Sequence, residues 1–409
     1  MTKVAVSQRG IEIPVSAMRK LAPLAETAKK RGVSVIHLNI GQPDIETPPE
    51  FLEAVRNFPE RTLAYAPSEG RPECVEGMLE YYARLDISLQ PEQIVITTAG
   101  SESLLFALLA CCDVGDEVIV PEPFYSNYGS VAVMTGLRLV SFITRAEDGY
   151  RLPPRADIER LIGERTRAIL YSSPGNPTGV VYTPTEIAML GEIAREHNLF
   201  LIADEVYREL TYDEQLATSA LYLPDMDEHV VVLDSVSKRY SACGARVGCL
   251  VSRNAAVMEA VMKMAMARLS APVLEQIGAA ACIAHTPPAY FDEMRAEYRR
   301  RRDILFERLN SVEGVFCPKP AGAFYAMVKI EGVDAEDFSR WLLTDFEQGG
   351  ETVMVAPGAG FYTTPGLGRD EIRIAYVLET ETLARAMGLL ATAIRRYRVC
   401  KGVQLNALT

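Results

Sequence analysis

From about residue 94 the chain alternates short, nearly unbroken apolar runs with longer stretches of helical periodicity. The runs are Ile94–Thr98, Glu117–Val120, Ala168–Tyr171, Leu199–Ala203 and Val230–Leu233. Strands that are apolar on both faces belong to a parallel sheet with helices packed on each side. The pattern therefore predicts an α/β fold around a mostly parallel central sheet sandwiched by helices. In open sheets of this kind the ligand crevice lies beyond the carboxyl ends of the strands. That rule selects the residues following each run: Ala99-Gly100-Ser101-Glu102, Pro121–Tyr125, Ser172–Gly179, Asp204–Tyr207 and Asp234–Lys238.

After residue 286 the pattern changes. Thr286-Pro287-Pro288 can cap and start a long amphipathic helix running to about Asn310, since proline is tolerated in a first helical turn. This helix is expected to bridge two domains. Beyond it lie Ala323–Val328, Thr352–Val355 and Glu371–Tyr376, then a closing helix from about Glu379, the outline of a smaller α+β domain. The length of 409 residues and the 48% hydrophobic content suit two or three such units and exclude a disordered tail. No internal repeat or low-complexity segment interrupts them. The Gly358-Ala359-Gly360 turn does not continue into a dinucleotide fingerprint.

Charge narrows the partners. With 42 Lys+Arg against 54 Asp+Glu the formal charge is −12, which opposes binding to a phosphate backbone or an anionic membrane surface. The basic run Arg299–Arg302, flanked by Glu293, Glu297, Asp303 and Glu307, reads as an exposed, salt-bridged helix face. No apolar stretch approaches the roughly 20 residues that span a bilayer, and Met1-Thr2-Lys3-Val4 lacks a signal-peptide core. The expected location is cytoplasmic. Eight cysteines without a CxxC pair read as reduced thiols, and the four scattered histidines outline no metal site. A GxSxG motif and a Walker loop are missing as well.

The polar groups at the strand ends point to one chemistry. Lys238 supplies an amine, Asp204 a carboxylate, Tyr207 a phenol and Asn176 an amide, while Gly100, Ser101 and Glu102 open a helix whose N–H groups suit a phosphate. Together they match what pyridoxal 5′-phosphate requires of a protein: a Schiff-base lysine, a pyridinium partner, donors to the ring oxygen and a phosphate cradle.

The same residues carry a family resemblance. Asn39-Ile40-Gly41-Gln42-Pro43-Asp44, Ser173–Gly179, Asp204-Glu205-Val206-Tyr207, Ser235–Tyr240, Gly244–Gly248 and Arg373–Tyr376 resemble, in order and spacing over residues 10–395, the class I/II aminotransferases of the fold-type I pyridoxal-phosphate enzymes, aspartate aminotransferase-like ones in particular. The resemblance implies Lys238 as cofactor-binding lysine and proton shuttle, and Asp204 as partner of the pyridine nitrogen. Tyr207 and Asn176 would meet the ring oxygen and Tyr125 would stack on the ring. Gly100, Ser101, Glu102, Ser235 and Arg246 would hold the phosphate, helped by Tyr65 from a neighbouring subunit. For the substrate it implies Arg373 clamping the α-carboxylate with Gly41 and Asn176, and Arg268 as candidate for a side-chain carboxylate, a structural pairing being the alternative.

Further expectations follow from the resemblance. They are a homodimer with shared active sites, amino acid and 2-oxo acid substrates, a large cofactor domain at 46–290, and a small domain from 1–45 and 291–409. The expected reaction is transamination with an aspartate- or glutamate-like substrate. Departures at Ala99, at Tyr65–Gly70 and at Ala271–Gln276 leave open an elimination, replacement or cyclisation enzyme of a biosynthetic pathway, possibly using S-adenosylmethionine.

Overall fold

A computed structural model describes residues 4–16 and 19–403; Met1–Lys3, on which the N-terminal reading began, lie outside the described residues. The strands in chain order are β1 Ser34–His37, β2 Ile94–Thr97, β3 Glu117–Glu122, β4 Arg138–Ile143, β5 Thr166–Ser172, β6 Phe200–Asp204, β7 Val230–Ser235, β8 Gly248–Ser252, β9 Val315–Phe316, β10 Tyr325–Ile330, β11 Glu351–Met354, β12 Ala356–Pro357 and β13 Glu371–Ala375. Seven of them form one sheet in the order β2-β8-β7-β6-β5-β3-β4. The pairs from β4 through β7 are parallel, and β8 runs antiparallel to both β7 and β2.

All five apolar runs are strands of this sheet. Alternate residues enter opposite cores, as the pleat demands: Leu201 and Ala203 pack on one side of β6 and Ile202 on the other, and Val232 of β7 opposes Val231 and Leu233 in the same way. Two members were not foreseen. β4 is the sheet edge, with Arg138 and Ile143 exposed, so it lacks the continuous apolar signature. β8 is wholly buried but begins at Gly248, two residues after the left-handed Arg246 that closes the 243–245 turn.

The C-terminal part forms a four-stranded antiparallel sheet, β12-β13-β10-β9, beside the parallel pair β1–β11. The long helix Pro288–Asn310 begins with proline in its first turn and packs against the closing helix Thr380–Lys401. Here the reading of the basic run needs correction, because only part of it is a solvated face. Arg301 and Arg302 are buried. Arg301 bonds Glu297 and, at 2.6 Å, Asp44, while Arg302 reaches Asp213 at 2.6 Å. The 3.6-residue period turns these two inward; Glu297 and Asp303 are local partners of the kind expected, whereas Asp44 and Asp213 come from distant chain segments that no local pattern could reveal.

Among the described residues all eight cysteines are free thiols, Cys400 alone being exposed. No helix among them is long and apolar enough to cross a membrane.

Candidate active site

The carboxyl ends of β5, β6 and β7 open into a cavity of about 430 Å³, closed on the other side by Ile40 and Gly41 and by Tyr325 of β10. Gly41, Gly100, Ser101, Tyr125, Asn176, Asp204, Tyr207, Ser235, Lys238 and Arg246 all line it. Four other predicted residues do not. Arg373 is fully buried and outside the lining, Glu102 and Arg268 pair with each other, and Tyr65 is 79% exposed and outside the lining.

Each lining group is set by its element. Asp204 ends β6 and is joined at 2.7 Å by the hydroxyl of Tyr128, while its other oxygen has only a long 3.5 Å contact from the Val206 N–H. Burial pushes its carboxyl up to about 6, the Tyr128 bond opposing this. Tyr207 follows in the next turn, its hydroxyl 3.0 Å from that of Tyr325, and burial raises its phenol well above the ordinary value. Ser235 caps the short helix Val236–Arg239: its hydroxyl accepts from the Ser237 N–H and lies within hydrogen-bonding distance of Ser237 Oγ and the Val247 carbonyl. One turn on, Lys238 donates from Nζ to the Gly41 carbonyl at 2.9 Å and lies 3.4 Å from Cys243 Sγ.

The helix Ala99–Cys111 starts at the cavity, with Gly100 and Ser101 in its first turn. Ala99 adopts φ +61, a left-handed conformation that costs an L-residue about 1–2 kcal/mol. The departure noted at Ala99 thus falls on a strained backbone position. The Glu102 carboxylate accepts from the Thr98 N–H at 2.7 Å and faces Arg268 Nε at 3.4 Å. Arg268 also donates to the Ile96 carbonyl at 2.9 Å. Arg246 lines the cavity, donates to the Cys243 carbonyl and sits at φ +55.

Opposite the strands, Asn176 Oδ1 accepts from Arg373 Nη1 at 3.1 Å, and Arg373 Nη2 donates to the Asn39 carbonyl at 2.6 Å. The guanidinium lies over the Tyr325 ring at 4.5 Å, and its Nε is buried without a partner. Two glycines make this closeness possible. A Cβ at Gly41 would stand 1.8 Å from the Tyr325 hydroxyl oxygen, and one at Gly179 (φ +72) would stand 2.5 Å from Pro320 Cβ. Tyr125 hydroxyl accepts from Asn127 at 2.8 Å, and burial pushes its phenol up to about 12.

Comparison with known proteins matches residues 33–390 to the family model "Aminotransferase class I and II". The chain belongs to that family. The aminotransferase is 34% identical over 382 residues to the "Putative aminotransferase YugH" of Bacillus subtilis, covering 92% of this chain and 95% of that one. It is 30% identical over 399 residues to an aspartate aminotransferase of the same organism, covering 94% and 98%. Its fold superimposes on an alanine aminotransferase from Pyrococcus furiosus with a TM-score of 0.87 at 29% identity, over 96% of this chain and 100% of the other.

Aminotransferases of this type use pyridoxal phosphate, and the residues present fit it. Asp204 is a buried carboxylate with one under-used oxygen, the 99–101 turn has no room for a Cβ at Gly100 beyond a tight 3.3 Å from Val206 Cγ1, and Arg373 keeps an orphaned N–H. When bound, the cofactor supplies an aldehyde for the substrate amine and a ring that draws electron density from the substrate Cα. Side chains at the site that the sequence reading missed include Tyr128, Tyr325, Cys243 and Arg19. Tyr128 lay within three residues of Tyr125 and Tyr325 inside a predicted strand, so position was legible, but their contacts join segments 76 and 118 residues apart.

Proposed function

We propose that the aminotransferase moves the amino group of a dicarboxylic L-amino acid, aspartate or glutamate, to a 2-oxo acid, with residues of the cavity in the following roles. Lys238 holds the cofactor aldehyde until substrate arrives and then carries the proton to and from the substrate Cα. Asp204 keeps the pyridine nitrogen protonated; a cationic ring beside it offsets the burial that now raises its carboxyl. Asn176, with its oxygen turned to Arg373, offers its Nδ2 to the ring oxygen, and Tyr207 offers its hydroxyl. Tyr125 bounds the ring face. Gly100, Ser101, Glu102, Ser235 and Arg246 meet the phosphate through backbone and side-chain donors, and Tyr65 serves the phosphate of a neighbouring subunit in a homodimer. Arg373 takes the α-carboxylate in a bidentate pair. The observation that carries the assignment is the single cavity in which Lys238, Asp204 and Asn176, the last bonded to Arg373, meet.

The cores on the two faces of the seven-stranded sheet draw almost wholly on residues 51–283, Met327 being the exception, and a separate core joins Ile36 and Leu38 to residues from Met294 to Tyr397, with Tyr207, Leu210 and Tyr212 added; this division supports a large domain at 46–290 and a small domain from both chain ends. A cytoplasmic location accords with the acidic surface and with the free thiols.

The test is to mix holoenzyme with single amino acids in the absence of any oxo acid. Aspartate and glutamate are expected to yield one equivalent of oxo acid per subunit, with conversion of the bound cofactor to its amine form, and Lys238→Ala to yield none. Release of methylthioadenosine from S-adenosylmethionine, with no oxo acid from any amino acid, would reject transamination in favour of elimination or cyclisation.

A further inference from the structure

We propose that Arg19 is the cation that receives the distal carboxylate of a dicarboxylic substrate, and so decides the preference between dicarboxylic and neutral amino acids. This rests on the transamination reading above and replaces Arg268 in that role. Three cations line the cavity, Arg19, Lys238 and Arg246, and a fourth, Arg373, is buried outside the lining. The only lining carboxylate among the described residues is Asp204, at the end of β6. Lys238 and Arg246 belong to the cofactor, and Arg373 is committed to Asn39 and Asn176 until a substrate α-carboxylate arrives. Arg268 is outside the lining: it is ion-paired with Glu102 at 3.4 Å and donates from Nη2 to the Ile96 carbonyl, its Nε and Nη1 being buried without a hydrogen-bond partner. Moving it to a substrate would strip a partly buried carboxylate of its cation.

Arg19 is different. Its guanidinium makes no hydrogen bond or ion pair with any described residue, yet its backbone is fixed: the N–H donates to the Ser16 carbonyl and its own carbonyl accepts from Ala22, both at 3.0 Å. The helix that follows, Ala22–Lys30, buries Ala25 and Ala28 and is anchored. A backbone held by these bonds thus brings an exposed guanidinium, with no side-chain partner among the described residues, to the same cavity that Ile40 and Gly41 line. A carboxylate that binds there gains a charge-assisted pair without breaking an existing one. A neutral side chain meets Ile40 and leaves Arg19 in water, at little cost. Both classes can then enter, with dicarboxylates favoured, and the preference weakens as salt screens the exposed charge.

The experiment compares wild-type, Arg19→Gln and Arg268→Gln holoenzymes at low and high salt. For Arg19→Gln, kcat/KM for aspartate and glutamate should fall about tenfold to a hundredfold, mainly through KM, with alanine and phenylalanine within about threefold. Calorimetric titration provides a readout apart from turnover: succinate should bind Arg19→Gln about tenfold more weakly than wild type while propionate is unaffected. Equal losses for both substrate classes would overturn the proposal. So would a dicarboxylate-specific loss in Arg268→Gln with none in Arg19→Gln, or weakened cofactor retention in Arg19→Gln, which would assign Arg19 to the phosphate. Absence of oxo acid from wild type with every amino acid would instead sink the transamination reading itself.

Discussion

Asp204 has no cation among its hydrogen-bond partners, and the charges of Asp234 and Glu205, which act on it, are of its own sign. An unfolded aspartate ionises near 3.8, whereas the folded one does so at about 6. Between these values the unfolded chain has released its proton and the folded chain has not. Stability of the cofactor-free protein therefore falls as pH rises through that window, and levels off above it. Relative to Asp204→Asn, cofactor-free wild type should lose about 2–3 kcal/mol between pH 4 and 7 in urea titrations. Parallel profiles for the two proteins would show that the carboxyl ionises freely. Loading the cofactor should flatten the wild-type profile, since a protonated ring nitrogen then partners the charge.

At the scale of elements, the site depends on a buried ionic cluster beneath the turn that bears Lys238. Asp234, at the penultimate position of β7, accepts from Arg239 at 2.6 and 2.7 Å and from the Ser235 N–H at 2.7 Å. Arg239 is stacked 3.7 Å over the Tyr81 ring, and Arg208 bridges Asp234 to Glu205. Both Asp234 and Arg239 are almost wholly inaccessible. Removing one member leaves an uncompensated buried charge, so Arg239→Ala should cost about 3–5 kcal/mol by urea denaturation, with cofactor retention impaired. A loss under 1 kcal/mol would mean that water reaches Asp234. None of this cluster was read from the sequence, although Asp234 and Arg239 lie on either side of Lys238. What the sequence displayed was repetition: apolar runs of strand length, helices between them, and polar groups where the runs end. That sufficed for the sheet and for Lys238, Asp204, Tyr207 and Asn176, because they follow strands. Contacts between distant segments leave no periodic trace. Tyr128 against Asp204, Tyr325 against Tyr207 and Arg301 against Asp44 appear only once the chain is folded.

For the whole molecule the telling residue is Tyr65, which was assigned a role yet stands in solvent. In an isologous dimer a residue exposed on one copy can complete the site of the other. Exchange of subunits between Tyr65→Phe and Lys238→Ala proteins should raise activity above the sum of the two parents, because one site of each hybrid regains an intact lysine and an intact tyrosine. Unchanged activity after demonstrated exchange would confine Tyr65 to its own subunit. The excess of acidic over basic residues makes local placement of the cations all the more consequential. Arg373 shows how far this goes: it is sequestered from solvent and held by a carbonyl and an amide.

The bond between Arg373 and Asn176 has one more consequence. A single amide is turned by the arginine so that its acceptor is spent inward and its donor is all that remains for the cavity. With Asn176 and Arg373 in their proposed roles, recognition of the prosthetic group and recognition of the amino acid would be yoked through one side chain. An aspartate at 176 would grip Arg373 more firmly and yet deny the ring oxygen its proton, so adaptation to new substrates is barred at this position. On the same proposal it would fall to Ile40 and Arg19, which line the cavity but take no part in the bond between Arg373 and Asn176.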